Sequence, residues 1–539
     1  MTVMPRTTVA EVLACLEDEF AEFAAAFSRG EYSLWLGSGI SRDVVPSVPT
    51  LLARMLEFLR ANVVATDPDC RFRKALGEVF DVAGVPAATR AAIDLATPVD
   101  HWAERDDIVN RLVDKYSDVL DVHVRGEPQD FLVWTGLDVP TTYGSPALEP
   151  DVEHFCVSIL MLEGIVKSAP TTNWDGLVEV AMKRLAGRAE QALNVVVTAA
   201  DFRQPERQAE LLKFHGCAVR AATNEAEYRS LLIARKSQIS GWSARLQNEM
   251  MKNHLEHLFA SRPALIVGLS AQDANIHTVL NEATRNLARR WPVSPAAVVF
   301  AEQRLHYHHK HVLQVTYGES YAPNAEAIGE SALLGAYAKP ALMALVLFTL
   351  TAKLCDLTRC ALELAIPAGG SERVCADLRA LRDAVGRIAD MDPTAFIGKV
   401  ISTISLVLLI FRSGRGPAAG TAPYQPISCA PIPGVLADPD FPGAALGRLA
   451  IMVSLLGRGA AQGLWTLRVG EPADLGGGVV RVETGRQASR LFFVRNSRAQ
   501  SQLEVDGIVE SWVEIIPCCH WIWARQGTGT QSPCSKRCW

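Results

Sequence analysis

The chain has 539 residues, 49% of them hydrophobic, which is enough for two to four domains with cores of their own. Its formal net charge of −6 excludes a strong overall attraction to nucleic acid or to an anionic membrane, although a local basic patch is compatible with it. The first twenty residues have no continuous apolar stretch, and the twelve cysteines include no Cys-x-x-Cys pair, so we expect a cytoplasmic protein with reduced thiols.

The N-terminal part begins with a helical pattern and then a strand. Apolar residues recur at helical spacing over residues 8 to 29, and residues 32 to 36 form a short apolar run typical of a buried strand. This run ends in the turn Gly37-Ser38-Gly39-Ile40-Ser41, and the next helix is predicted to begin near Thr50. Residues 60 to 165 are mostly helical in pattern and predict a helical insertion.

Four further apolar runs, at residues 165 to 170, 194 to 198, 211 to 214 and 264 to 269, are separated by helical stretches. Strand and helix alternating in this way predict an α/β fold with a Rossmann-like parallel sheet that is covered on both faces. Ligands of such sheets bind beyond the carboxyl ends of the strands, where the polar motifs of this chain lie.

The C-terminal half reads as a helical extension followed by a smaller region. We predict an α/β domain over residues 1 to 300, helices over 301 to 412, a linker rich in Pro, Gly and Ala over 413 to 445, and a small region with β-like runs over 446 to 539 that ends in a disordered tail. Two uncharged stretches, 340 to 352 and 400 to 411, are shorter than the ~20 residues that span a bilayer, so they predict buried helices and no membrane contact.

The glycine turn has two interpretations. Gly37 and Gly39 let the backbone turn sharply, so that successive N–H groups can face a pyrophosphate. Arg42 stands where the dehydrogenase fingerprint has its third glycine, which excludes that fingerprint. Taken alone, the turn is equally compatible with an ordinary β-turn.

Two more strand ends carry side chains suited to chemistry on a ribose. Asn173 and Asp175 follow the second run, where they would serve as caps and turns or would hold a hydroxyl or a water. His215 follows the fourth run, where it would be a satisfied polar residue or a general base.

The segment from Gly268 to Asn275 follows the last predicted strand. Its small and polar residues fit contact with a nucleotide, although an ordinary loop remains an alternative, and Gln272 excludes a hydrolase elbow. No phosphate-binding loop of an ATPase and no carboxylate constellation of a nuclease occurs in the sequence. An arginine-rich stretch over 481 to 498 leaves direct nucleic-acid binding open, with a solvated face as the favoured interpretation. A second cluster is predicted to lie on the surface, because its spacing does not match structural zinc sites; it comprises His306, His308, His309 and His311.

Taken in order, four motifs resemble the SIR2 (sirtuin-like) family over roughly residues 30 to 285. The turn 37 to 41 resembles the family's Gly-Ala-Gly-Ile-Ser loop, and 171 to 175 resembles the Thr-Thr-Asn-Tyr-Asp element of its bacterial branch, with Trp174 for Tyr. Residues 212 to 216 resemble Lys-Leu-His-Gly, and 268 to 275 resembles the last nucleotide loop.

The resemblance implies a SIR2 fold with NAD as its substrate and a catalytic pair, Asn173 and His215. It also implies a set of residues that contact NAD, which are Gly37, Ser38, Gly39, Ser41, Asp175, Gly268, Ser270, Asp273 and Asn275. The paired cysteines of the deacylase zinc ribbon are absent, since only Cys217 lies between His215 and Gly268. We therefore expect no zinc, no other metal ligand set, and water as the acceptor.

This combination is similar to the bacterial SIR2-like proteins of antiphage defence, which hydrolyse NAD. The segment 336 to 354 resembles the type that is paired with a HerA-like ATPase, which implies such a partner and a homo-oligomer. An NAD glycohydrolase is the predicted function. The alternatives are an NAD-dependent deacylase or ADP-ribosyltransferase, and a non-catalytic sensor of NAD or ADP-ribose that regulates a partner ATPase.

Overall fold

The computed structural model describes residues 5–187, 192–285, 288–360, 369–418, 423–469, 479–485, 487–506, 508, 514–516 and 521–525. The chain divides into two compact units, Met1–Val346 and Leu347–Trp539. Each unit contains a β-sheet of its own. The first unit carries all the motifs identified at strand ends.

The sheet of the first unit has six parallel strands in the order β3-β4-β2-β1-β5-β6. β1 and β5 pair in register from Ser33 and Ala264 to Leu36 and Val267, so both strands end at the same level. The strand bounds are Ser33–Leu36 (β1), Ser168–Thr171 (β2), Leu193–Val196 (β3), Ala209–Lys213 (β4), Ala264–Val267 (β5) and Val298–Ala301 (β6).

The centre of this sheet contains the topological switch point of the fold. β1, β5 and β6 are buried at every position, which is the pattern of parallel strands covered on both faces. The chain leaves β1 toward β2 on one side, whereas it leaves β5 toward β6 on the other. A crevice therefore opens between the loops that follow β1 and β5, which is where such sheets bind ligands.

Helices supply the rest of the first unit. Those between β1 and β2 form the insertion, whose core joins apolar faces such as Leu52, Leu56 and Leu59 with Leu76 and Phe80. The helix bounds are Val9–Glu17, Ala21–Ser28, Val48–Ala61, Arg71–Ala83, Ala87–Ala92, Arg105–Leu112, Tyr116–Leu120, Val139–Thr142, Val152–Leu162, Leu177–Ala186, Ala218–Thr223, Glu225–Tyr228, Lys236–Gly241, Glu249–Ser261, Ala274–Thr284, Tyr307–Tyr317, Tyr321–Ala332 and Ala338–Cys360, the last of which contains the boundary between the units.

The second unit combines helices with an antiparallel sheet of five strands in the order β10-β11-β9-β8-β7. One of its apolar clusters packs Leu406 and Ile410 against Phe492 and Leu503. The strands are Thr466–Val469 (β7), Val480–Thr484 (β8), Gln487–Phe493 (β9), Glu514–Ile516 (β10) and Trp521–Arg525 (β11). The helices are Gly370–Met391, Pro393–Ala395, Ser402–Ser413, Ile432–Val435, Gly443–Ala461 and Ser497–Val505.

Three helices of the described chain are long and apolar enough to cross a membrane by length and composition, namely Ala338–Cys360, Pro393–Ser413 and Gly443–Ala461. The most apolar window of the first is 72% buried inside the protein, and those of the other two are 44% buried. The uncharged runs counted in the sequence are shorter than the helices that contain them, so run length alone does not exclude a span. The absence of membrane contact stays a prediction.

The predicted α/β fold with a parallel Rossmann-like sheet and helical additions is confirmed. One strand of the parallel sheet was missed, β6, because no motif follows it to draw attention to it. The run that begins at Ile165 starts too early, because Gly164 ends the preceding helix at φ +70° and the strand begins at Ser168. The predicted linker contains the helix Ile432–Val435, and the predicted tail, 527 to 539, lies outside the described residues.

Candidate active site

A cavity of about 460 Å³ lies at the carboxyl ends of the strands of the first unit. Its volume falls in the range of small-molecule sites, roughly 300–1,000 Å³. Eight of the eleven predicted site residues line it: Ser38, Gly39, Asn173, Asp175, His215, Gly268, Ser270 and Asp273. The other three, Gly37, Ser41 and Asn275, lie behind this lining and contact residues that form it.

The loop after β1 needs glycines because it packs directly against the loop after β5. A Cβ atom on Gly37 would lie 2.4 Å from the Gly268 carbonyl oxygen, and one on Gly39 would lie 2.5 Å from Gly268 Cα. Gly268 itself has φ +63°, a conformation that favours glycine. The two loops therefore approach so closely that side chains are excluded from both.

This contact also uses amide groups that the sequence assigned to a phosphate. Gly37 N–H donates to the Val267 carbonyl at 3.0 Å, and Gly39 N–H donates to the Gly268 carbonyl at 2.9 Å. The predicted cradle of successive free N–H groups is therefore wrong for these two glycines. Arg42 lines the cavity instead of a third glycine, with its exposed guanidinium 5.1 Å from the centre of the Tyr337 ring.

Ser41 is fully buried and organises the polar side chains behind the cavity. Asp151 N–H donates to His154 Nδ1 at 3.1 Å, so the ring proton is on Nε2, which donates to Ser41 Oγ at 3.0 Å. Asn173 Nδ2 donates to the same oxygen at 3.2 Å, and the Ser41 hydroxyl donates to Asp175 Oδ2 at 3.1 Å. Ser41 thus positions Asn173 and Asp175 rather than lining the cavity itself.

Asn173 presents an unsatisfied acceptor at the cavity wall. Its Nδ2 is held by Ser41 and its backbone N–H donates to Thr171 Oγ1 at 3.1 Å. Its Oδ1 is buried and has no hydrogen-bond partner. A buried acceptor without a partner costs about 1–3 kcal/mol, so this atom fits a ligand hydroxyl or a water.

His215 is held in its neutral form. Its ring is 4% exposed, and the Asn275 amide Nδ2 lies 2.8 Å from its Nε2. Burial lowers its pKa, while the Asp273 charge and the Asn275 contact act in the opposite direction and offset part of that shift. In this contact Asn275 Nδ2 donates to the Nε2 lone pair of the neutral imidazole, so His215 can act as a general base once a ligand hydroxyl or a water replaces Asn275 as the donor.

The turn that carries Asn173 and Asp175 is supported from below by a buried ammonium. Lys213 is 1% exposed, pairs with Glu179 at 2.8 Å, and donates to the backbone carbonyls of Trp174 and Asp175. Burial acts to lower the pKa of Lys213, but the combined effect of Cys217, Glu179 and Asp175 outweighs it, so the pKa is raised. The lysine of the Lys-Phe-His-Gly element therefore has a structural role.

The insertion closes the cavity with two tyrosines that the sequence did not single out. Tyr116 Oη donates to Asp273 Oδ1 at 2.7 Å, and burial with that charge raises the pKa of Tyr116. Tyr143 meets Trp174 edge to face, with ring centres 5.4 Å apart. Neither residue lies at a strand end or within a recognisable motif, so no sequence signal identified them.

Glu302, directly after β6, was also missed. It lines the cavity, and burial raises its pKa to about 7 against the opposing effect of Arg42. His154 was missed because it lies within an apolar helix, where a lone histidine carries no motif. Predicting a strand from the apolar run Val298–Ala301 would have pointed to Glu302, because the polar residues of the site follow strand ends.

One group of potential metal ligands is already occupied by an ammonium. Among the described residues, Asp43, Asp151 and Glu153 form a group whose donor atoms all lie within 4.8 Å of one another. Lys339 Nζ lies 2.7, 2.9 and 3.9 Å from these carboxylates in the same order. A lysine therefore supplies the positive charge there.

The fold and the cavity define an α/β protein with a parallel Rossmann-like sheet and a cavity of ligand size at its switch point. Residues 167–321 match the family model of the SIR2-like domain, a stretch that runs from just before β2 to the first residue of the helix Tyr321–Ala332. No curated protein matches the chain. SIR2-like domains use NAD as substrate, and the match supports an NAD-dependent enzyme.

Proposed function

We propose that the protein is an NAD glycohydrolase, which cleaves NAD to nicotinamide and ADP-ribose. The observation that carries this proposal is the pairing, in one cavity, of the unpartnered Asn173 Oδ1 with the neutral ring of His215. An acceptor and a base are the two groups needed to hold and deprotonate a hydroxyl or a water.

In this reaction the bond between the nicotinamide nitrogen and ribose C1′ breaks, and the bonding electrons leave with nicotinamide. Positive charge develops on the ribosyl group, which the buried carboxylate of Asp175 stabilises. Asn173 Oδ1 accepts a hydrogen bond from the incoming water, whose oxygen bonds to C1′. The water replaces Asn275 Nδ2 as the donor to His215 Nε2, which takes the proton that the water loses.

Arg42 contributes a cation for the pyrophosphate. The N–H groups of Gly37 and Gly39 already donate to the carbonyls of Val267 and Gly268, so they do not bind it. The Arg42 guanidinium is exposed, and none of the described residues forms an ion pair with it. A planar guanidinium pairs with phosphate oxygens through two parallel hydrogen bonds.

Water is the proposed acceptor because the chain lacks the paired cysteines of a zinc ribbon between His215 and Gly268. The resemblance to antiphage proteins extends the proposal to depletion of NAD in infected bacterial cells. It also extends it to assembly as a homo-oligomer, to a HerA-like ATPase partner and to a cytoplasmic location. These proposals rest on that resemblance alone.

The test is nicotinamide release by the full-length protein, alone and with a candidate ATPase, for wild type, Asn173→Ala and His215→Ala. Asn281→Ala and His101→Ala are controls on exposed side chains outside the cavity. We expect both site variants to lose at least roughly a hundredfold in rate while both controls keep theirs. Isothermal titration with NAD separates lost chemistry from lost binding.

Two alternatives give different results in the same assay. A deacylase or ADP-ribosyltransferase would consume NAD only in step with an acyl-lysine peptide or a protein acceptor. A sensor would bind NAD without releasing nicotinamide, and His215→Ala would leave its behaviour in a cell-toxicity assay unchanged. Either result contradicts the glycohydrolase.

A further inference from the structure

Three histidines that do not line the active-site cavity come together between two neighbouring helices. His277 belongs to the helix Ala274–Thr284, and His308 and His311 lie one turn apart on the helix Tyr307–Tyr317. The ring centre of His277 is 5.6 Å from that of His308 and 4.7 Å from that of His311. The cluster predicted from the sequence contained only histidines at 306 to 311. It therefore lacked His277, which belongs to the other helix and completes this group of three.

The neighbouring histidines of that helix have other roles. His309 Nδ1 accepts from the His306 backbone N–H at 3.4 Å, and its Nε2 donates to the Leu269 carbonyl at 3.0 Å. His309 is buried and His306 lines the active-site cavity. The predicted cluster of four therefore separates into a pair that faces the cavity and a pair that faces His277.

His277 has an unpaired ring nitrogen that is suited to binding a metal ion. Its Nδ1 is buried without a hydrogen-bond partner, and its ring faces the backbone of Ala271. Metal-bound histidines commonly donate their second N–H to a backbone carbonyl, which fixes the tautomer and the ring orientation.

We propose that His277, His308 and His311 bind a transition-metal ion of the Zn²⁺ class, with water as the fourth ligand. Three imidazoles and a water form an established tetrahedral set for zinc. A tetrahedral ion with Zn–N bonds of ~2.0–2.1 Å needs donor atoms roughly 3.3 Å apart. The three rings do not form a group with all donor atoms within 4.8 Å, so ion binding requires the half-buried His308 and His311 to rotate toward His277.

Such an ion would join the two helices at the rim of the active site. His277 contacts Ala271, which lies in the loop after β5 at φ +52°. The same loop carries Asp273, bonded to Tyr116, and Asn275, bonded to His215. Metal binding would therefore stabilise the loop that positions the base, and a bound ion raises the melting temperature by mass action.

The test is isothermal titration of Zn²⁺, and separately of Ni²⁺, into the metal-free full-length protein at pH 7.5. Wild type is compared with His308→Ala and His311→Ala, whose half-buried side chains make misfolding a small concern, and with His101→Ala as the control. We expect the affinity for one equivalent of metal to fall by about tenfold or more in both cluster variants and to be unchanged in His101→Ala. Exposed thiols such as Cys360 and Cys429 also bind zinc. The readout is therefore the difference of one bound equivalent between wild type and each cluster variant.

Two further measurements keep the test independent of catalysis and of folding. Asn173→Ala, which is expected to be inactive on NAD, should still bind the full complement of metal. Zn²⁺ should raise the melting temperature of wild type but not that of His311→Ala. Equal stoichiometry and affinity in wild type, His308→Ala and His311→Ala would overturn the proposal, because the metal would then be an adventitious ion bound elsewhere.

Discussion

Replacing Ser41 with Ala tests whether the network behind the cavity controls the chemistry. The substitution removes one hydroxyl that accepts from His154 and Asn173 and donates to Asp175. Asn173 and Asp175 line the cavity, so solvent can replace their lost partner. His154 is 0% exposed, so its Nε2–H remains buried and unpaired.

The magnitude follows from that count. One buried donor without a partner costs about 1–3 kcal/mol in the free energy of unfolding. The Asn173 carboxamide also loses the bond that fixes its orientation, and misplacing a positioning group can cost on the order of a hundredfold in rate. Since Ser41 does not line the cavity, we expect kcat to fall while the Kd for NAD stays within about threefold of wild type, which corresponds to roughly 0.6 kcal/mol.

The assay combines urea denaturation, nicotinamide release and NAD titration for Ser41→Ala and the matched control Ser158→Ala. Ser158 is equally buried, and its hydroxyl donates only to the backbone carbonyls of His154 and Val178. The control should lose stability without a specific loss of kcat. If both variants lose turnover to the same degree, or if Ser41→Ala keeps wild-type turnover, the network does not position Asn173.

Four further predictions follow from the same geometry. Gly39→Ala places a Cβ 2.5 Å from Gly268 Cα, so it should lower the free energy of unfolding by about 1–3 kcal/mol and weaken NAD binding. The control Gly77→Ala has open space around its Cβ and should not weaken NAD binding. Thermal denaturation measures the stability of both variants, and titration measures their affinity for NAD. Arg42→Ala should raise the KM for NAD and leave kcat nearly unchanged, and an unchanged KM would remove Arg42 from the phosphate site. Because burial lowers the pKa of His215, its base form persists below the ordinary histidine range, so kcat/KM should hold as pH falls to about 6.5 and decline only at lower pH; a decline centred above 7 contradicts this assignment. Lys213→Met leaves Glu179 without its buried partner and should cost about 3–5 kcal/mol in urea denaturation, whereas Lys236→Met at a surface pair should cost less than about 1 kcal/mol, and similar costs would show that burial is not the cause.

Local patterns were sufficient for the elements whose signal is local. The apolar run at 264 to 269, in which Gly268 follows four apolar residues, predicts β5 and its loop, because a buried parallel strand needs continuous apolar residues and a sharp exit. The order of the motifs likewise brings Asn173, His215 and Asp273 to one edge, because parallel strands end on the same side of a sheet.

Contacts between distant segments decided the rest. The sequence determined by itself that this is a parallel α/β protein with polar residues at its strand ends, since hydrophobic periodicity and turn chemistry act over a few residues. Only the tertiary structure decided that the Gly39 N–H donates to the Gly268 carbonyl, that Ser41 orients Asn173 and that the rings of His277 and His311 are in contact. Each of these contacts joins residues more than thirty positions apart, and the geometry of such a pair is fixed by packing rather than by local propensity.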